Sequence, residues 1–328
     1  MPQDPQNRGV GARPATRPIR NASVLILGAS GVVGSAVSRR LLAEGVHVIA
    51  QGRDRARLSR LQAFGASSVQ GDIRDPATRS TLQRVASDAI SVISFLPPDP
   101  KVIRSGARLM REMPGTYRLH LSSAAVYERI LDQYDLTERE TRSSGLAPCP
   151  FRSAERVFER ETQGCVTLIR PGRLYGPAAL TGPLLRWAGS GPLPLVRGGE
   201  IETSVLSVDD LADAISHLLG TPSAGRASGP FNLASSRPMP VRYLVGKMFS
   251  GRGAEVSWRP ASRLRLRAGE TARELIAALD RSGPAPVNVA RLLGWSLTLN
   301  TGAFQRETGW SPRSAEKIGA DQGGAGQF

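Results

Sequence analysis

Short runs of consecutive apolar residues recur from residue 23 to residue 169. Each is bounded by Gly, Asp or Ser and followed by a segment whose apolar positions fall three and four apart. The first pattern suits strands buried on both faces, the second amphipathic helices. Strands are expected at Ser23–Leu27, Val46–Ala50, Ser68–Gln70, Ile90–Phe95, Tyr117–Leu121 and Val166–Ile169. Helices are expected at Val32–Ala43, Asp54–Phe64, Pro76–Ser87, Lys101–Met113 and Ser153–Glu161. A βαβ rhythm of this kind folds into a doubly wound α/β sheet with helices on both faces.

Beyond Arg170 the rhythm breaks. Pro and Gly crowd Pro171–Gly199, and helical patterns return at Val208–Leu219 and Val241–Phe249. The organisation read from this is a first domain over 21–170 and a smaller substrate lobe over 171–318 that threads back into it. Residues 1–20 and 319–328 lack any apolar period and read as disordered tails. The charged run Arg263–Arg267 alternates with Leu264 and Leu266, which reads as a half-exposed strand.

Composition alters this picture little. The chain has 328 residues and a formal charge of +15, with 43 Lys and Arg against 28 Asp and Glu. Lysines occur only at Lys101, Lys247 and Lys317, so the positive charge is carried by arginines spread along the whole length. A dedicated nucleic-acid surface would gather them on one face, so such binding is not expected. No apolar run approaches the roughly 20 residues of a membrane helix. Met1–Arg20 has no apolar core of the kind a secretory signal needs. His47, His120 and His217 are far apart, and Cys149 and Cys165 form no metal or redox motif; no metal site is expected, and the cytoplasm is the expected compartment. The pattern is silent on oligomeric state.

Chemistry enters at the first strand. Val24–Leu27 runs into Gly28-Ala29-Ser30-Gly31-Val32-Val33-Gly34 and then a helix, a G-x-x-G-x-x-G loop in the context that binds a dinucleotide. Gly28 allows the tight turn, Gly31 the close approach of pyrophosphate, and Gly34 the packing of helix on strand. Gly28, Ser30, Gly31, Val32 and Val33 are therefore read as cofactor-binding residues, and the fold as a Rossmann type. At the end of the second strand a carboxylate would accept ribose hydroxyls, whereas an arginine suits a 2′-phosphate. The sequence there is Gln51-Gly52-Arg53-Asp54-Arg55. Arg53, assisted by Arg57, favours NADP(H), with NAD(H) as the alternative, and Asp54 reads as a helix N-cap. Asp72 and Ile73, after the third strand, are placed to meet the adenine edge.

Several motifs in order resemble the extended short-chain dehydrogenase/reductases, the NAD-dependent epimerase/dehydratase family. They are Gly28–Gly34, Gly71-Asp72, Ser122-Ser123-Ala124-Ala125-Val126-Tyr127, Arg170-Pro171-Gly172-Arg173-Leu174-Tyr175-Gly176-Pro177, Val208–Ala212, Phe231-Asn232-Leu233 and Gly309-Trp310-Ser311-Pro312. The resemblance implies that Phe95, Leu96 and Pro97 line the cofactor and that Pro171 and Leu174 flank its nicotinamide. It also implies a catalytic serine at Ser123, followed by a Tyr-x-x-x-Lys pair on the next helix. That pair is missing. Anchored on Ser153, Pro150 and Ala154 occupy its places; shifted by one, Phe151 and Glu155 do, and no lysine lies between Lys101 and Lys247. Tyr127 and Tyr175 belong to other motifs, and Tyr134 lies in a polar stretch read as a loop.

Three readings follow. The first is a reductase that passes hydride to an aromatic ketone and takes its proton from a phenol of the substrate. In lacking the pair the chain is similar to atypical ketoreductases of angucyclinone polyketide pathways, and the Pro-, Leu- and Trp-rich Leu180–Val196 would suit a flat apolar substrate. The second is a non-catalytic NADP(H) sensor of the same superfamily. The third is a nucleic-acid-binding member of the fold, which the scattered arginines disfavour.

Overall fold

The computed structural model describes residues 19–113, 115–127, 132–140, 149–176, 191–221, 228–250, 255–264, 266 and 293–312. The expected tails, apart from Ile19 and Arg20, and most of Leu180–Val196 lie outside the described residues.

Seven strands build a parallel sheet: β1 (Ser23–Leu27), β2 (His47–Gly52), β3 (Ser67–Gln70), β4 (Ser91–Ser94), β5 (Tyr117–Leu121), β7 (Thr167–Pro171) and β12 (Gly229–Leu233). Their order is β12-β7-β5-β4-β1-β2-β3. Helices α1 (Val32–Ala43), α2 (Arg55–Ala63), α3 (Pro76–Val85), α4 (Pro100–Arg111) and α5 (Pro150–Glu161) make the crossovers. Their starts are encoded locally. Asp54, Asp75 and Asp99 each accept hydrogen bonds from first-turn N–H groups of α2, α3 and α4, and Pro76 and Pro100 sit where a missing N–H costs nothing. The expected strands and first five helices are all present, β1, α1 and β5 with the expected ends and the others shifted; α5 begins at Pro150, three residues before the expected Ser153.

The sheet is buried on both sides, which explains its near-continuous apolar strands. Val24 and Ile26 face one core, Leu25 and Leu27 the other. The chain beyond residue 170 contributes to both the sheet and its cover. β12 pairs with β7, and α6 (Val208–Gly220) lies in the same core as α1. The Arg40 guanidinium joins Glu44 and Asp213, Ser216 donates to Glu44, and Trp310 Nε1 donates to Asp213 at 2.9 Å.

The smaller lobe has its own core around Leu193, Val205, Leu244, Met248 and Trp295. It contains α7 (Val241–Ser250) and a four-stranded sheet in the order β13 (Met239–Pro240), β10 (Glu202–Thr203), β15 (Leu297–Leu299), β6 (Gln133–Leu136). The pairs β8 (Arg173–Tyr175) with β11 (Val205–Ser207) and β9 (Leu193–Leu195) with β14 (Trp258–Pro260) complete it, and α8 (Gly302–Thr308) follows. Two expectations need correction. Arg263 and Leu264 have helical rather than extended backbone, and Leu266 is buried in the lobe core. Tyr134 lies in β6, where its hydroxyl donates to Ser296 Oγ at 3.3 Å, rather than in a loop.

Candidate functional site

Parallel strands bring their carboxyl ends to one edge, so Leu27, Gly52, Gln70, Ser94, Leu121 and Pro171 end along a common rim. The chain runs outward in opposite directions from β1, through β2 on one side and β4 on the other. Open α/β sheets bind ligands in the crevice at such a reversal. Gly28, at φ +76°, turns the chain out of β1, and a Cβ there would stand 3.0 Å from the Phe95 carbonyl oxygen. At Gly34 a Cβ would fall 2.4 Å from the Gly28 carbonyl oxygen, so α1 can lie this close to β1 only with glycine. Gly31 is the N-cap of α1. No side chain caps it, and no acidic residue lies in the first turn. The first N–H groups of a twelve-residue helix therefore face the crevice without a carboxylate, an arrangement suited to pyrophosphate.

Gln51, which the sequence reading passed over, braces this loop. It is 2% exposed; its Oε1 accepts from the Gly28 N–H at 3.1 Å, and its Nε2 donates to the Gly71 carbonyl at 2.8 Å. A lone polar residue ending an apolar strand was the available signal. Arg53 is exposed at the end of β2. Arg57 pairs with Asp54 at 3.3 Å and reaches back to the Ser30 carbonyl at 3.3 Å, so its guanidinium lies against the glycine loop. Asp54 caps α2 as expected, accepting from Arg57 N–H at 3.1 Å.

Asp72 sits after β3 and is held by Arg74, whose hydrogen bonds bring its carboxyl down to about 2. Ile73 turns its side chain into the core, so it offers the crevice only backbone. Leu96 is also buried, against Gly106 of α4, while Pro97 is exposed. Val33, Phe95 and Leu174 are half-buried and pack on the same core cluster. Pro171 ends β7 opposite Leu233.

At the end of β5, the Ser123 Oγ accepts from the Ala125 N–H at 3.1 Å and so caps a 3-10 turn over Ala124–Tyr127. Tyr127 is fixed. Its hydroxyl donates to Asn232 Oδ1 at 2.7 Å and accepts from Arg170 Nη1 at 2.8 Å, and burial pushes the phenol up. Neither proposed alignment of α5 restores a Tyr/Lys pair. Ala154 is in the core, and Phe151 packs beside Tyr127. Glu155 is fully buried against Arg170 (2.7 and 2.8 Å) and accepts from Ser122 at 2.7 Å and Arg152 at 2.7 Å. Burial opposes its charge, but the hydrogen bonds and charge of Arg170 outweigh burial and lower its pKa. This fixed network of polar side chains supports the corner. A separate cleft between Thr137–Arg139 and Asn300–Arg306 includes none of the rim residues above. No described helix is long and apolar enough to cross a membrane.

The NmrA-like family model matches residues 20–112. The 2-alkyl-3-oxoalkanoate reductase of Stenotrophomonas maltophilia (strain K279a) is 23% identical over 256 residues, covering 70% of this chain and 76% of that protein. Among solved structures, the dTDP-glucose 4,6-dehydratase DesIV of Streptomyces venezuelae, with NAD bound, superposes with a TM-score of 0.62 at 20% identity, over 91% of this chain and 94% of its own. The UDP-glucose 4-epimerase of Thermotoga maritima, with UDP-glucose, gives 0.64 at 18% identity, over 92% and 96%. Similarity at this level concerns architecture: the chain shares with these structures a Rossmann-type α/β fold, a parallel core sheet with a smaller C-terminal lobe.

Proposed function

We propose that the chain is an NADP(H)-dependent ketoreductase of the cytoplasm whose substrate supplies its own proton. The observation that carries this reading is the corner at the end of β5. Ser123 is there, yet among the described residues no acid accompanies it: Tyr127 is locked between Arg170 and Asn232, and Glu155 is held ionised. The uncapped α1 N-terminus fits a pyrophosphate, and Arg53 with Arg57 fits a 2′-phosphate, NAD(H) being the alternative cofactor. Leu174 and Pro171 would pack against the nicotinamide, with Phe95, Pro97 and the backbone of Leu96 along the opposite wall.

Bound there, the dinucleotide would supply hydride to a ketone carbon. Ser123 keeps its hydroxyl proton for the carbonyl oxygen while its own lone pair caps the turn. The oxygen's proton comes from a phenol beside the ketone, and the resulting phenolate regains one from water. Neighbouring groups on one molecule reach effective molarities of about 10⁵–10⁸ M, enough to replace a protein acid. Aromatic polyketides of the angucyclinone kind carry that arrangement. Support for ketone reduction comes from the relative named for reducing a 3-oxoalkanoate, and support for dinucleotide binding from the structures with NAD bound. The same missing acid favours a second reading, a sensor that binds NADP(H) without turnover. NADPH oxidation over a panel of phenolic aromatic ketones separates them: turnover supports the reductase, and tight NADPH binding with none across the panel supports the sensor.

A further inference from the structure

The corner beside Ser123 carries one more positive charge than its carboxylate can balance. Glu155 Oε1 accepts from Ser122 Oγ and Arg170 Nε, and Oε2 from Arg170 Nη2 and Arg152 Nη1, all at 2.7–2.8 Å. Four separate donors thus fill the four lone-pair sites of the carboxylate. Arg170 alone offsets its charge, so Arg152 leaves the group with one net positive charge. Glu138 accepts from the Asn232 N–H on the β12 side of Arg170, whereas Ser122 follows β5 on the other side. Among the described residues the Arg152 guanidinium bonds only Glu155; its Nε is buried without a partner, and the side chain is 20% exposed. A buried donor and charge left unpaired are costly, and an anion beside them offsets that cost. The position of Arg152 is fixed from both ends. Cys149, Arg152 and Glu155 recur every third residue, on one face of α5. Cys149 Sγ donates to the Ala125 carbonyl at 3.5 Å, and Glu155 takes the Ser122 hydroxyl. Arg152 stands between these contacts, level with Ser123 and Ala124 at the carboxyl end of β5.

We propose that Arg152 is a catalytic residue that binds the phenolic oxygen of the substrate and stabilises the negative charge that oxygen acquires. This rests on the reductase reading above and adds a protein group that favours the phenol's proton transfer. Ser123 holds the carbonyl oxygen while hydride adds to the carbonyl carbon, and the phenol O–H passes its proton to that oxygen. The charge ends on the phenolate, against Arg152, until water returns a proton. A guanidinium does not give up a proton in proteins, so Arg152 stabilises charge without being the acid. An opposite charge within about 4–6 Å draws the ionisation of an acid down by roughly one to three pH units. A phenol, which ordinarily ionises near pH 10, is thereby brought toward the working pH, where an acid donates best.

The test follows a hydroxytetralone, its phenol peri to the ketone, bound together with NADP⁺ to wild type, Arg152→Gln and Arg152→Lys. NADP⁺ has no hydride to give, so the phenol's absorbance over a pH series reports its ionisation alone. In wild type the bound phenol should ionise at least about one pH unit below the free compound. Arg152→Gln keeps a donor for Glu155 but no charge. It should abolish that shift and lower kcat with NADPH by about 10²–10³. Arg152→Lys keeps the charge and should retain most of the shift. A merely structural donor to Glu155 would leave Arg152→Gln like wild type in both readings, which would overturn the proposal. So would a loss of kcat in Arg152→Gln with the bound phenol still ionising as in wild type. A wild type that reduces the probe without shifting its phenol overturns the proposal and leaves the reductase reading standing. One that neither binds nor reduces it overturns that reading as well.

Discussion

Gln51 illustrates how one side chain holds a binding loop ready. Its amide joins the Gly28 N–H to the Gly71 carbonyl, so the turn out of β1 and the turn out of β3 move together. Gln51→Ala leaves both backbone groups unpaired in a buried setting, at a cost of about 1–3 kcal/mol. A lower urea midpoint and weaker NADPH binding are expected together, and an unchanged midpoint would contradict the bracing role. Ser123 makes a different case. Its lone pair serves the Ala125 N–H, and no described base activates it. Ser123→Ala should therefore lower kcat by at most about tenfold, less than the roughly 10²–10⁴ that a general acid contributes. A larger loss would show Ser123 handling the proton itself.

At the scale of elements, α5 and β7 are joined through the ion pair between Glu155 and Arg170, both fully buried. Removing one partner of such a pair strands the other charge, at about 3–5 kcal/mol. Glu155→Gln should show a loss of that order in urea unfolding, and a loss below about 1 kcal/mol would mean the corner is held by other contacts. Before the structure, α5 was legible only from its apolar spacing, which placed its start three residues late and gave no sign of this pair. Arg170 and Glu155 are both polar within core-facing segments, and only their proximity in space explains why. The central strands were legible because burial on both faces makes their apolar runs nearly continuous. Strands of the smaller lobe were not: β10 is two residues long, and its partner Leu297 is far along the chain from Thr203. Arg263–Leu266 misled for a related reason. Its alternation of Arg and Leu matches a strand locally, but Arg263 turns to the Asp132 carboxylate at 2.7 Å, Leu264 is exposed and Leu266 is buried. The glycine loop was readable because its requirements are local. The Asp72–Arg74 bonds were not, since opposite charges two residues apart in a turn do not reveal whether they pair with each other.

Across the whole molecule, acid sensitivity follows from buried groups that resist or require charge. His120 is enclosed beside Ser94 and stacked on Phe158, and burial lowers its pKa to about 4. The unfolded chain protonates this imidazole near pH 6.5, so between about 6.5 and 4 the unfolded state binds more protons and stability falls as pH falls. At about 1.4 kcal/mol per pH unit the full loss is about 3–4 kcal/mol. Glu155 and Asp72 have lowered values, so their stabilisation is complete above the ordinary carboxylate range and is lost at still lower pH. Urea unfolding should show stability declining from about pH 6.5, and His120→Asn should flatten the segment between 6.5 and 4. An unaltered slope in that variant would assign the decline elsewhere.

In the proposed function a bound dinucleotide supplies hydride at the rim of the sheet, and no described acid stands beside Ser123. The most direct test compares kcat for a phenolic aromatic ketone with kcat for its O-methyl ether, at saturating NADPH. The account predicts that methylation lowers kcat by about 10²–10⁴, the contribution of a positioned general acid, while NADPH affinity is unchanged. Equal turnover of the two ketones would contradict it, because the proton would then not come from the substrate's phenol.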